Sequence, residues 1–280
     1  MTAAVLLSMG SAVSFGFADF LGGIASRRAH VLPVTLISQA IGLVIVLAVI
    51  PFTPGQLSRP AIAWGMVAGV GGAIGLIAYF RALSIGAMGL TAPVASLTCA
   101  AIPVIVGLGL GERPAATAAA GIVLGIGATV LVSRPAADTA TDPTTDGSKG
   151  LLMALVSGLL FGVFFVALDQ APGDSGLWPL VGARVLGLLL LTGLLALQRP
   201  PWPQNGIAGI ATMSGLLDMA ANVLFLLATR QGLLVLTAVV SGLYPVAVVV
   251  LAWLFLKERL GRTQQAGVGL ALAAAALIAL

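Results

Sequence analysis

The chain is written in long apolar stretches broken by short polar ones. Between its charges and prolines run ten windows, roughly 3–24, 33–52, 61–80, 89–110, 115–133, 150–169, 177–197, 206–228, 233–256 and 264–280. Each is close to the ~20 residues that a helix needs to cross a hydrocarbon layer. What is left over is short connections, with no room for a separate soluble domain. Stretches such as 186–191 and 271–280 stay apolar without alternating, whereas a barrel strand alternates over about ten positions. Helix is then the remaining way to satisfy the backbone in lipid. The first window follows Met1-Thr2-Ala3-Ala4 with no positive charge ahead of it. It is expected to be kept as a helix, not removed as a signal peptide.

A second pattern lies over the first. Shifted by 146 positions, residues 1–134 overlay 147–280 without a gap, and 28 of the 134 pairs are identical. Leu90-Thr91-Ala92 falls on Leu236-Thr237-Ala238, Glu112-Arg113 on Glu258-Arg259, Phe15-Gly16 on Phe161-Gly162, Gly86 on Gly232 and Pro33 on Pro179. The stretch 135–146 is polar with two prolines and reads as a linker between two units, 1–134 and 147–280. Five windows per unit is an odd number, so the second unit is expected to enter the membrane from the opposite side. Inverted repeats of this kind are a common architecture of secondary transporters, with the substrate held near mid-membrane between the halves.

The fourth window of each unit runs out in Gly111-Glu112-Arg113-Pro114 or Lys257-Glu258-Arg259-Leu260, the first window carries Phe15-Gly16, and the seventh opens with Pro179 through Arg184. In these features and in the repeat plan the chain resembles the EamA-like branch of the drug/metabolite transporter superfamily. The family often has Trp where this chain has Phe15. It often has Arg in its second helix, where this chain has Ser38 and keeps only Arg184 of the second unit. The resemblance implies an all-α integral membrane protein of ten transmembrane helices in two five-helix repeats. It further implies export of a small metabolite through a bacterial plasma or inner membrane, without ATPase or other enzymatic activity and without a cofactor.

Composition changes the picture mainly by exclusion. Residues are 59% hydrophobic and 8% charged, against about 45–50% and about 25% in soluble domains. Too few polar side chains exist to cover a water-facing surface. One Cys (Cys99) forms no internal disulfide, and with a single His (His30) it cannot make an ordinary His/Cys zinc site. The net charge of +4 is spread as single residues between apolar runs, which is membrane-loop charge and not a nucleic-acid surface. Alternate connections hold nine and three Lys or Arg. The positive-inside rule then puts both termini outside, while the family resemblance implies termini inside.

Charges within a span cost about 2.5–3.5 kcal/mol at the bilayer centre on insertion scales and are therefore the first functional candidates. Asp218 is the deepest acid. Ser214, Asp218, Asn222 and Phe225 share one helical face and could line a cavity, with Asp218 binding a cation, an amine or a coupling proton. A structural bond between helices is the plainer reading. Ser8, Ser11, Phe15 and Asp19 share a face of the first window, and Asp19 could instead pair with Arg27 or Arg81. Arg184 could draw a carboxylate or phosphate, snorkel to the interface, or pair with an acid such as Asp218. Thr237, Ser241 and Tyr244 form a stripe, with Thr91, Ala95 and Thr98 as repeat partners. Interhelical hydroxyl bonding explains the stripe almost as well. Tyr79, matched by Phe225, is either a gate or an interfacial belt residue. Glu112 and Glu258 read as local pairs or helix caps, and the glycines at 69, 71, 72 and 75 as close-packing positions, since no Lys-Ser/Thr follows to make a phosphate loop. Pro93, Pro103 and Pro245 could kink the fourth and ninth helices. The expected partners are a small-molecule substrate and the lipid bilayer. An integral membrane enzyme acting on a lipid-linked substrate and a non-transporting scaffold are the competing functions.

Overall fold

The computed structural model describes residues 2–85, 88–132, 147–256 and 261–279. Among these the structure is helical, with no strand. The helices are α1 (Thr2–Arg28), α2 (Val31–Val49), α3 (Arg59–Ile85), α4 (Met88–Gly109), α5 (Ala116–Val132), α6 (Gly147–Asp169), α7 (Trp178–Gln198), α8 (Asn205–Thr229), α9 (Leu234–Ser241), α10 (Tyr244–Leu256) and α11 (Arg262–Ala279). Every apolar window falls on helix, and the ninth is divided between α9 and α10. The 135–146 linker, Gly86 and the 257–260 motif lie outside the described residues.

The outer faces of these helices are apolar. Leu6, Val13 and Phe17 on α1, Leu152, Leu159 and Val163 on α6, and Val185 and Leu189 on α7 are all exposed. Among the described residues, six helices are long and apolar enough to cross a membrane: α1, α2 with the short turn after it, α3, α6, α7 and α8. Shorter apolar helical stretches cover Val94–Gly109, Ala116–Leu131 and Leu234–Val248. Hydrocarbon is the solvent that such a surface calls for, and the chain is a multi-pass membrane protein.

Neither half packs mainly on itself. α1 lies antiparallel along α8, where the Ser11 hydroxyl donates to the Ala221 carbonyl (2.9 Å) and the Ser214 hydroxyl to that of Ala18 (2.8 Å). The equivalent pair under the repeat, α6 and α3, is also antiparallel, with Gly72 against the Phe164 ring and Gly75 against the Leu160 side chain. α3 runs parallel to α7, and α2 parallel to α8. α1 runs parallel to α3, joined by Asp19 to Tyr79 and by Arg27 to the Leu83 carbonyl.

Glycine sets these distances. A Cβ on Gly69 would stand 2.6 Å from the Ala183 carbonyl oxygen, and one on its repeat partner Gly215 would collide with the Ser38 backbone. Helices without a hydrophobic drive between them gain from such backbone proximity through dispersion. The glycine run at 69, 71, 72 and 75 is thus a packing surface, as its sequence suggested.

Two local devices fix the helix ends and the break. After α4, Gly111 takes φ 92°, the Glu112 amide donates to the Gly107 carbonyl (2.9 Å) and the Gly111 amide to that of Leu108 (3.1 Å). This is a Schellman ending, for which glycine is suited. It delivers the Glu112 carboxylate to the other half, where its two oxygens accept from the Leu234 and Val235 amides at 2.8 and 2.9 Å. These are donors that α9 cannot satisfy within its own first turn. The α9–α10 break falls at Gly242-Leu243, just before Pro245. There the Val246 amide turns to Leu243 (2.9 Å), and the Gly242 carbonyl accepts from the Ser96 hydroxyl, its repeat partner. α4, by contrast, continues unbroken through Pro93 and Pro103.

Gly215→Ala should therefore destabilise the protein by about 1–3 kcal/mol, since overpacking forces a shift of backbone. Gly209→Ala, on the same helix with nothing near its Cβ position, should be neutral or mildly stabilising. Thermal unfolding in detergent separates the two.

Candidate functional site

The cavity lies near the middle of the helices, between the halves. Its empty volume is about 520 Å³ counted out to its open mouth. Four repeat-related pairs border it on both members: Phe15 with Phe161, Asp19 with Phe165, Gly72 with Asp218 and Leu76 with Asn222. The cavity is therefore lined by equivalent positions of the two repeats. Its shape follows the repeat, but its chemistry does not. Where one half offers Asp19, Gly72 and Leu76, the other offers Phe165, Asp218 and Asn222.

Three helices build one polar cluster. Arg184 on α7 donates through Nη2 to the Asp218 carboxylate on α8 at 2.5 Å and through Nη1 to the side-chain oxygen Oε1 of Gln39 on α2. The Arg184 side chain is 5% exposed and that of Asp218 15%, so both ions have lost most of their water. A buried pair survives because removing one partner leaves the other charged and alone. One turn along α8, Asn222 donates from Nδ2 to the Asp218 backbone carbonyl (2.7 Å), and its Oδ1 is buried with no partner among the described residues.

Asp19 stands apart from that cluster. Its carboxylate accepts from the Tyr79 hydroxyl at 3.0 Å, a neutral donor. Tyr79 is fully buried and meets Phe161 and Tyr244 edge-on, with ring centroids 5.8 and 6.4 Å away. From Tyr244 the aromatic wall runs on through Phe15 and Phe165 to Phe164 and Phe225, the last pair of centroids with Phe165 being 5.3 and 4.3 Å.

Of the residues singled out from the sequence, Phe15, Asp19, Arg184, Asp218, Asn222 and Tyr244 border the cavity. Ser11, Ser214, Thr237 and Ser241 do not. Their hydroxyls go to backbone carbonyls: Ser11 to Ala221, Ser214 to Ala18, Thr237 to Leu233 and Leu234, and Ser241 to Ser8 at 3.5 Å. The physical reason is general, for a hydroxyl on a helix in lipid reaches a nearby carbonyl more easily than a cavity. Arg184 pairs with Asp218 and does not snorkel, and Asp19 pairs with neither Arg27 nor Arg81 in the contacts seen. Tyr79 is not a belt residue. Gln39, Cys99, Phe161, Phe164 and Phe165 also line the cavity without having been singled out. Gln39 had a sequence signal, as an amide in the middle of an apolar window.

The sequence profile of the EamA-like transporter family matches residues 2–134 and again residues 148–280. The chain belongs to the EamA-like transporter family. This places it in the drug/metabolite transporter superfamily, as the repeat and its motifs implied. No curated protein matches the chain. Among solved structures, one crystal structure of a protein aligns over 100% of this chain and 99% of its own, with a TM-score of 0.73 and 19% sequence identity, a likeness of fold. In this EamA-like transporter Arg184 stands where the first repeat has Ser38, and its carboxylate partner Asp218 where the first repeat has Gly72.

Breaking that pair should be costly from either side. Arg184→Gln and Asp218→Asn should each lower stability by about 3–5 kcal/mol. The double substitution should cost clearly less than the sum, because neither charge is then left alone. Denaturation of the purified protein in mixed detergent tests this.

Proposed function

We propose that this EamA-like protein is a secondary transporter that carries a small metabolite across the membrane by alternating access. Two inverted five-helix units, 1–134 and 147–280, joined by the 135–146 linker, would form ten crossings, with α9 and α10 together making one broken crossing. The observation that carries this reading is a cavity at mid-helix depth, lined from both repeats, in which Asp19, Arg184 and Asp218 stand within a mainly apolar wall. The opposed directions of α1 and its counterpart α6 support inversion, since α1 is parallel to α3 and α6 antiparallel to it. Two units of one fold can exchange conformations, which gives a pair of states of similar energy open to opposite faces. Family membership supports a transported small molecule, and export is the expected direction.

A coupling proton is better assigned to Asp19 than to Asp218. Asp218 is neutralised by Arg184, whereas among the described residues Asp19 has only the Tyr79 hydroxyl. A carboxylate held this way can exchange a proton for a substrate group without dismantling an ion pair.

Proteoliposomes loaded with a defined mixture of amines, amino acids, nucleosides and sugars test the proposal. With a pH gradient imposed, at least one compound should leave faster than from protein-free vesicles, as read by mass spectrometry of the medium. Asp19→Asn should remove the response to the gradient. Release no faster than from empty vesicles for every compound would contradict the transport reading.

A further inference from the structure

The cavity's charge balance specifies what it accepts. Two carboxylates, Asp19 and Asp218, face it with one guanidinium, Arg184. Both terminal nitrogens of Arg184 are engaged, one by Asp218 and one by Gln39. An anionic substrate therefore finds no free cation among the described residues here, and to recruit Arg184 it would have to displace Asp218. The groups left over are acceptors. Among the described residues Asn222, 2% exposed, has an unpartnered Oδ1, and Asp19 answers to a hydroxyl alone. Around them stand the faces and edges of Phe15, Phe161, Phe164, Phe165 and Tyr244. Aromatic faces attract a cation, the more so once it has shed water.

We infer that the substrate of this cavity is a small protonated amine with an apolar body, its ammonium held between the Asp19 carboxylate and the Asn222 carbonyl and its body against the aromatic wall. The inference rests on the transporter reading of the same cavity and narrows its substrate class to monocations. Zwitterions and anions are disfavoured because their carboxylate has no unpaired positive partner. The asymmetry of the repeats is what produces this selectivity. The Phe15/Phe161 wall is duplicated, while each acceptor occurs once, opposite a phenylalanine or a leucine.

A matched series of ligands tests the inference on the purified full-length protein in nanodiscs. Benzylamine, benzyl alcohol, phenylglycine and benzoate share one ring and differ in charge. Benzylamine at neutral pH should bind about tenfold or more tighter than each of the others by titration calorimetry, the difference expected of a charge-assisted hydrogen bond in a dry site. Asp19→Asn should bring its affinity down to that of the alcohol, and Asp19→Glu should keep the amine first in the order. Benzoate or phenylglycine binding as tightly as the amine would overturn the inference. So would undetectable binding of benzylamine to the wild-type protein, or an amine preference that survives in a monodisperse Asp19→Asn variant. The wild-type series alone decides the point if that variant does not fold. The two readings fail separately. Amine binding that depends on Asp19, without release from vesicles, would remove transport and leave the site. Release of anions or zwitterions with no amine binding would leave transport and remove the amine.

Discussion

Backbone contact between the two halves is the constraint on which everything else in this molecule depends. Gly69 meets Ala183, and Gly215 meets Ser38, at distances that leave no room for a side chain. These repeat-related contacts bring α2, α3, α7 and α8 together, and those four helices carry Gln39, Tyr79, Arg184, Asp218 and Asn222. Association in lipid has no hydrophobic effect behind it, so close packing and interhelical hydrogen bonds must supply the attraction. The serine bonds between α1 and α8 and the Glu112 cap on α9 add to it. Each links the first half to the second, so the halves hold one another in place.

Once the helices are fixed, the cavity follows, and with it a division of labour between shape and chemistry. Shape is inherited from the duplication, as four repeat-related pairs line the space from both sides. Chemistry is where the copies have diverged. Arg184 took Asp218 as its partner where the other unit has Ser38 and Gly72, and Asp19 stands opposite Phe165. A symmetric site would hold two equal half-sites across the axis. This one holds a single polar cluster and a single acid with an aromatic wall behind them, which suits one small ligand in one orientation.

Much of this was legible in the chain. The ten apolar windows, the offset of 146 and the in-span charges Asp19, Arg184 and Asp218 all stand out, because lipid makes each uncompensated polar group expensive. The break in the ninth window had its signal too, in Gly242 followed by Pro245. The serine and threonine hydroxyls lie off this cavity for the same reason that the charges stand out. A serine or threonine hydroxyl finds a carbonyl on its own helix or the next one, so its presence in a span costs little and says little about a cavity. Gln39 and Tyr79 are hard to rank from sequence, since a neutral amide or phenol is tolerated in many packed positions. Whether Arg184 pairs, snorkels or binds an anion depended on where α7 and α8 meet. That depends on Gly215 and Gly69, whose partners, Ser38 and Ala183, are set only when the helices dock. The partnership of Glu112 with α9 likewise crosses from one half to the other and has no local signature beyond the Gly111 that turns the chain.

The central claim is that the space between the halves opens to each side of the membrane in turn. The chain carries its own probe for this, because its single cysteine, Cys99, lines the cavity. Protein of known orientation in sealed vesicles can be exposed to a membrane-impermeant thiol reagent on one face at a time, with modification counted by intact mass. The account predicts that Cys99 is modified from either face. Modification from one face alone under every condition, or only after unfolding, would contradict it.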